Sequence, residues 1–186
     1  MKINFPLLAL AVGAFAIGTT EFSPMGFLPE IANDLSVSIP QAGLLISAYA
    51  VGVMIGAPLM TLWLARFPKK TALILLMAIF TIGNVLATVA PDYMSLMGAR
   101  LITSLNHGAF FGLGSVVAAS VVPKDKQASA VAMMFMGLTI ANIGGVPLAT
   151  WLSQNTSWRM AFAAISILGI MTILALWKAC LLYTSD

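Results

Sequence analysis

The sequence has few charged residues, one histidine and one cysteine. A single cysteine, Cys180, excludes an internal disulfide, and no Cys/His cluster has metal-ligand spacing, so we expect no metal site. An average soluble domain carries about 25% charged residues, whereas here 8% are charged and 60% are hydrophobic. A chain with so few polar residues cannot cover the surface of a soluble fold, and its composition therefore indicates a membrane protein.

Apolar runs long enough to cross a bilayer, about 20 residues at helical rise, recur along the whole sequence. These runs lack the alternation of a membrane β-barrel, and backbone groups in lipid must be satisfied internally, so the runs are predicted to be helices. The predicted fold is an all-α membrane protein, a six-helix transmembrane bundle within residues 1–178. The predicted spans are 5–28, 41–65, 71–90, 95–121, 127–152 and 159–177.

The net charge of +3 does not indicate a nucleic-acid partner, because the basic residues separate the predicted spans instead of clustering on one face. The loops on one side hold most of the cations, and those on the other side hold acidic residues and one arginine. By the positive-inside rule, the N-terminus is predicted to be cytoplasmic. The predicted inner cations are Lys2, Arg66, Lys69, Lys70, Lys124, Lys126 and Lys178, against Glu30, Asp34, Asp92 and Arg159 outside.

The second and fifth predicted spans share a pattern of small residues. Its two copies, at an offset of 89 residues, are Ala48-x3-Gly52-x3-Gly56-x-Pro58 and Gly137-x3-Ala141-x3-Gly145-x-Pro147. The same offset relates Lys69-Lys70-Thr71-Ala72 to Trp158-Arg159-Met160-Ala161. Since each copy holds three spans, the second copy is predicted to lie inverted in the membrane, an inverted 3+3 repeat. The alternative is coincidence, because small residues pack helices closely in any bundle.

Three ionisable side chains lie inside predicted spans: Glu21, Arg100 and His107. Each costs roughly 3 kcal/mol or more in lipid, so each is expected to face the bundle interior with a partner. Glu21 and Arg100 fall at similar depths, which predicts an ion pair or a water-linked contact between them. Arg100, Ser104 and His107 share one helix face, which predicts a cavity lining. His107 is interpreted either as a proton relay or as a hydrogen-bonded tie between helices.

Several motifs together resemble the major facilitator superfamily, specifically the drug/proton antiporter branch that contains arabinose-efflux-like permeases. The resemblance covers residues 2–177 and implies the N-terminal six-helix half of that fold. Thr19-Thr20-Glu21-Phe22 is similar to the acidic first-helix motif, which implies proton coupling or recognition of a cationic substrate by Glu21. Arg100, followed by the segment Asn106 to Gly112, resembles the fourth-helix signature, whose arginine is tied to proton movement.

The fifth-span pattern of Gly137, Ala141, Gly145 and Pro147 resembles the family's antiporter motif. The resemblance implies that these residues pack against a C-terminal half and that transport is export. Asn142, inside this stripe, is expected to lie near substrate.

The loop from Thr61 to Lys70 resembles the family's gating motif in part. It keeps Arg66, Lys69 and Lys70 but has Ala65 where an aspartate is usual. We expect its cations to bind the last-turn carbonyls of neighbouring helices.

Family members have twelve spans, whereas six are predicted here. We therefore expect residues 179–186 to be a truncated or foreign tail, and the partner to be a missing C-terminal half or a second copy. The second and fifth helices are expected to expose a small-residue face for that contact.

The resemblance implies a multi-pass protein of the bacterial inner membrane, without a cofactor and driven by the proton gradient. It would export a sugar, nucleobase or drug-like solute by alternating access. The alternative is a half-transporter that does not transport.

A more remote alternative is an intramembrane serine protease, suggested by Gly112-x-Gly114-Ser115. Such an enzyme needs a serine beside a histidine of another helix. His107 lies eight residues before Ser115, about 12 Å along the same helix. We therefore predict no enzymatic activity.

Overall fold

The structure is a computed structural model and describes residues 4–181. The regular elements of this range are helical, with a short 3-10 turn at Lys124–Lys126 and a π-helical segment at Ala141–Gly145. The α-helices are α1 (Phe5–Gly26), α2 (Leu28–Asp34), α3 (Ile39–Leu64), α4 (Lys69–Thr88), α5 (Tyr93–Ser104), α6 (His107–Ser120), α7 (Gln127–Ile140), α8 (Val146–Asn155) and α9 (Trp158–Leu181).

Six helical segments in this part of the chain are long and apolar enough to cross a membrane. The predicted all-α, six-span fold is therefore confirmed. The fourth span joins α5 to α6, and the fifth joins α7, the π-helical segment and α8. The spans are Phe5–Gly26, Ile39–Leu64, Lys69–Thr88, Tyr93–Ser120, Lys124–Asn155 and Trp158–Ala179.

Capping residues set helix ends that differ by a few residues from the predicted ones. The second span begins at Ile39, because the Ser38 side chain accepts a hydrogen bond from the backbone N–H of Gln41. Pro40 is tolerated there, since the first turn of a helix leaves its N–H groups unpaired. The fourth span begins at Tyr93, because Asp92 and Ser95 form a capping box.

The packing of the spans repeats the three-helix unit. The first span packs against the fifth and sixth, the fourth packs against the second and third, and the third packs against the sixth. Exchanging the first span with the fourth, the second with the fifth and the third with the sixth leaves these contacts unchanged, although the fifth span also packs on the sixth without an equal contact between the second and third. Such packing is what two related units of three helices produce.

The small-residue stripe lies inside the bundle, and the expectation that it forms an exposed face is wrong. Gly137, Ala141 and Gly145 are buried, and a Cβ at Gly137 would clash with the backbone carbonyl oxygen of Ala11 on α1. The stripe therefore brings α7 against α1, and its three small residues offer no surface to a C-terminal half or a second copy. Of the motif residues, Pro147 alone is exposed.

The exposed faces of the second and fifth spans consist of large apolar side chains. These two spans are the least buried of the six, each 22% buried against 56% for the first and 50% for the third. The face open to other molecules therefore belongs to the predicted helices but is formed by different residues. Its most exposed members are Met54, Leu62, Ile143, Leu148 and Trp151.

Connections between spans give the bundle two chemically different ends. The basic end holds Arg66, Lys69 and Lys70 in and beside one connection, and Lys124 and Lys126 at the start of the fifth span. The opposite, acidic end holds Glu30, Asp34 and Asp92 and one cation, Arg159.

Candidate functional site

A polar cluster joins the first, second and fourth spans. Glu21 projects from α1, and its Oε2 lies 3.7 Å from Nε2 of His107 at the start of α6. Nδ1 of that histidine lies 3.2 Å from the hydroxyl of Tyr49 on α3. The Glu21 side chain is 27% exposed and that of His107 13%, so the carboxylate is the more accessible member.

Arg100 is buried beside this cluster, and its partner differs from the predicted one. Its guanidinium donates from Nη1 to the backbone carbonyl of Thr20, at 2.8 Å, and lies 4.2 Å from the ring centroid of Tyr49. Within residues 4–181 the carboxylate of Glu21 lies beside the His107 ring, and no salt bridge joins it to Arg100, so the predicted direct pair with Arg100 is wrong. The arginine instead reaches the backbone one residue before the carboxylate.

Pro24 explains why Arg100 is needed at that carbonyl. Within α1 the carbonyl of Thr20 would accept from the N–H four residues later, but that residue is Pro24, which has no N–H. An unpaired carbonyl at membrane depth costs several kcal/mol, and the guanidinium supplies the missing donor. Nε and Nη2 of Arg100 are buried and have no hydrogen-bond partner among the described residues.

Thr20 also ties the cluster to the third span. Its hydroxyl donates to Oδ1 of Asn84 on α4, at 2.7 Å, and the amide of Asn84 donates to the Phe80 carbonyl of its own helix. Sequence reasoning missed the contacts of Tyr49 and Thr20. A phenol in the second span, and a threonine placed four residues before a proline, were the available signals.

The fourth span is interrupted where the predicted face was continuous. The α-helix stops after Ser104 and restarts at His107, with a 3-10-type bond from the Leu105 N–H to the Ile102 carbonyl. Ser104 is buried against Gly52 and donates to the Leu101 carbonyl. Ser104 therefore packs helices, and the predicted cavity lining does not include it.

Asn142 lies apart from the cluster on the exposed side of the fifth span. Its amide donates to the carbonyl of Leu138 on its own span, at 3.0 Å, so the structure shows no hydrogen bond from it to the Glu21 cluster. Its expected place near substrate stays a prediction.

The gating-loop cations are exposed or half-buried at the basic end. Nε of Arg66 donates to the carbonyl of Trp63, at 3.0 Å, in the last turn of α3 itself. For Arg66, the expectation of a neighbouring helix is therefore corrected to its own helix. Lys69 begins α4 and lines a cleft with Ala65.

An ion pair lies at the acidic end of the bundle. Arg159 donates to the carboxylate of Asp34 and, from Nη2, to the carbonyl of Ala90 at 2.9 Å. The indole N–H of Trp158 donates to the same carboxylate at 3.1 Å. The hydrogen bond from Arg159 holds the pKa of Asp34 below its ordinary value, against the opposing effect of burial.

No group of three His, Cys, Asp or Glu residues that could hold a metal ion occurs within residues 4–181.

Comparison with known proteins gives consistent results. A family model described as Major Facilitator Superfamily matches residues 10–184. The inner membrane transport protein YdhP of Escherichia coli (strain K12) is 71% identical over 177 residues, which are 95% of this chain and 46% of that protein. The putative transporter AraJ of the same organism is 42% identical over 171 residues, 92% of this chain and 43% of that protein. The chain thus spans a little under half the length of these relatives.

A more distant relative and a solved structure also match about half of their own length to this chain. A probable sugar efflux transporter of Pasteurella multocida (strain Pm70) is 32% identical over 88% of this chain and 41% of that protein. The partially occluded, inward-open structure of the xylose transporter XylE from E. coli superposes with a TM-score of 0.76, at 18% identity, over 96% of this chain and 48% of that one.

Proposed function

The chain belongs to the major facilitator superfamily, and on that premise we propose that it forms the proton-coupling six-helix unit of a transporter that exports a small organic solute. Homologues and fold are those of transporters, which are not enzymes, so the protease alternative is dropped. In this proposal the chain works by alternating access, rocking against a second six-helix body.

The contact between Glu21 and His107 is the observation that carries the proposal. It places a carboxylate and an imidazole from two spans 3.7 Å apart, and their attraction depends on which of them holds a proton. Loading a proton on Glu21 removes the negative charge that faces the His107 ring and so changes the contact between the first and fourth spans. Releasing it restores that charge, so proton exchange is coupled to helix movement.

Arg100 has two roles in this mechanism. Its positive charge is fixed at the Thr20 carbonyl, one residue before Glu21. Its cation also lies over the Tyr49 ring, whose hydroxyl meets His107. A proton on Glu21 therefore changes the charge next to side chains of three spans.

An aromatic surface next to the cluster suits the proposed solutes. The Phe111 ring lies 5.2 Å from that of His107 and stacks on Phe135 at 5.1 Å. Flat or ring-shaped solutes such as sugars, nucleobases and drug-like molecules pack against such rings. The names of two relatives, a probable sugar efflux transporter and a chloramphenicol resistance protein, favour export.

The proposed location is the bacterial inner membrane with the N-terminus in the cytoplasm. The charge difference between the two ends of the bundle supports this orientation, and a relative described as an inner membrane transport protein supports the location. No cofactor is proposed, because the proton gradient supplies the energy.

Transport in everted membrane vesicles tests the proposal. The chain is expressed alone and together with a second six-helix half taken from a relative, and solute uptake is followed after a pH gradient is imposed. With the second half present, Glu21→Gln should abolish gradient-driven uptake, because the amide cannot exchange a proton. The matched control Asp125→Asn changes a carboxylate on an exposed turn and should transport normally.

Full gradient-driven uptake by Glu21→Gln would reject the coupling role. Absence of uptake in every combination, with both halves present in the membrane, would favour the alternative of a half-transporter that does not transport.

A further inference from the structure

A cleft outside the polar cluster opens at the basic end of the bundle. It has a volume of about 470 Å3 and lies between the end of α3, the start of α4 and α6. Small-molecule sites have volumes of roughly 300 to 1,000 Å3, so this cleft is large enough for a ligand. The transport mechanism proposed above does not use it.

The cleft has an apolar interior and a positively charged mouth. Leu64, Leu76 and Ala109 are buried in its wall, and its lining has two polar side chains, those of Thr61 and Lys69. The hydroxyl of Thr61 already donates to the Ala57 carbonyl of its own helix. The ammonium of Lys69 is therefore the lining group that can donate to a ligand.

The charge at the mouth is not neutralised within the described chain. Arg66, Lys69 and Lys70 lie in and beside the connection between α3 and α4, and the ion pairs found among residues 4–181 involve other residues. Ala65, exposed in the lining, places a methyl group there instead of a carboxylate. A ligand with an apolar body and an anionic head fits both parts of the cleft.

We propose that this cleft binds an anionic phospholipid, with an acyl chain between α3, α4 and α6 and the phosphate at Lys69. Basic residues at the end of a membrane span attract anionic lipids by about 1 kcal/mol each, and three cations meet here. An apolar helix of another protein would fill the interior but would leave these cations without a counter-charge. An anionic phospholipid supplies an acyl chain for the interior and a negative charge for the cations.

The inverted repeat contains a comparison cleft. A cleft of about 330 Å3 lies between the first, fifth and sixth spans, where Ile165 takes the position of Leu76. Its lining includes Phe15, Thr19 and Leu148 but no charged side chain. An acyl chain can enter either cleft, but selection of a headgroup is expected only at the one with Lys69.

Two pairs of variants separate the acyl-chain site from the headgroup site. A Cβ at Gly112 meets no atom within 4 Å, so Gly112→Phe should fill the cleft without forcing the helices apart. Gly98 is equally open and lies in the same span outside the cleft, which makes Gly98→Phe the control. Ala65→Asp places a negative charge at the mouth, and Ala65→Asn has the same shape without the charge.

Native mass spectrometry of the 186-residue chain in detergent micelles measures the binding. Phosphatidylglycerol and phosphatidylcholine with identical acyl chains are added in equal amounts. Retention of phosphatidylglycerol should exceed that of phosphatidylcholine by about fivefold or more. Gly112→Phe should reduce retention of both lipids, and Ala65→Asp should remove the preference, whereas each control behaves as the unaltered chain. Equal retention of the two lipids by the unaltered chain, or equal effects of a variant and its control, would overturn the proposal.

Photocrosslinking identifies the occupant in a membrane. Val116 lines the cleft and is 51% exposed, so a photoreactive amino acid placed there reports what fills it. A phospholipid adduct supports the proposal. An adduct with a second copy or another polypeptide, or no adduct, contradicts it. This readout does not depend on transport, so its failure leaves the proposed function untouched.

Discussion

Pro24 and Arg100 are linked through one carbonyl group. The proline removes the N–H that would pair with the Thr20 carbonyl, and the arginine of another span supplies the donor. A residue described by resemblance as tied to proton movement thus has a structural task as well. The two tasks can be separated by experiment, because the structural one depends on the proline and the charge-based one does not.

We predict that Arg100→Met lowers the free energy of unfolding by about 1–3 kcal/mol, because it leaves the Thr20 carbonyl unpaired. In that background Pro24→Ala restores an N–H to α1 and should recover about 1 kcal/mol, while gradient-driven uptake stays lost. Thermal unfolding in detergent and vesicle transport measure the two effects. Recovery of both would show that Arg100 acts only on structure.

Asp34 gives a pH-dependent stability at the acidic end. Its pKa lies below the ordinary value of 3.8, chiefly because Arg159 donates to it. A lowered pKa stabilises the fold above the ordinary value, and this contribution is lost as the pH falls through the lower, folded-state value. Asp34→Asn should therefore lower the melting temperature at neutral pH and lose that effect when the pH falls well below 4.

Arg159→Gln is the partner variant for this measurement. Because the ion pair is then already absent, adding Asp34→Asn should change the melting temperature little at any pH. An equal effect of Asp34→Asn with and without Arg159 would assign the stability to Trp158 instead, whose indole also donates to the carboxylate.

Close packing of the first and fifth spans depends on a glycine at the point where the two helices meet. A Cβ at Gly137 would meet the Ala11 carbonyl oxygen, whereas one at Gly144 meets no atom within 4 Å. Gly137→Ala should therefore destabilise the bundle by about 1–3 kcal/mol through overpacking. Gly144→Ala, in the same span, should be neutral. Denaturant unfolding followed by circular dichroism compares them, and equal stabilities would mean that α1 moves aside easily.

Elements were easier to predict than the contacts between them. The six apolar runs were sufficient for the spans, and the motifs around Glu21 and Arg100 were sufficient for the family, because both depend on local sequence. The partner of Glu21 depends on how far each helix is rotated about its axis, which depth alone does not fix. Arg100 has a similar depth, yet the side chain beside the carboxylate is that of His107.

The antiporter motif illustrates the same limit. Gly137 and Gly145 were expected to pack against a C-terminal half, and that expectation is wrong. Small residues indicate a close contact without naming the partner, and here α1 takes that place. The open face was therefore assigned to the wrong side of the second and fifth spans.

At the scale of the whole molecule, the second and fifth spans carry the open apolar face. If a second six-helix body packs on this face, Met54→Cys and Ile143→Cys should crosslink to cysteines in it. Ile82→Cys, on the third span and 56% exposed, should not, because that span packs with the sixth at the other side of the unit. Gel mobility after mild oxidation shows the result, and crosslinking at Ile82 alone would place the partner elsewhere.

The π-helical segment of the fifth span has a consequence for how a duplicated unit can diverge. The second span has no such segment, yet the offset of 89 residues is the same before and after it. A π turn takes up more residues than an α turn, and the chain accommodates them at the end of the helix. Helix α8 continues to Asn155 and leaves residues 156–157 as the connection, whereas α3 stops at Leu64 and leaves residues 65–68. One copy thus has a short connection beside Trp158, and the other has a longer connection that carries Arg66. The two copies are nevertheless equally long.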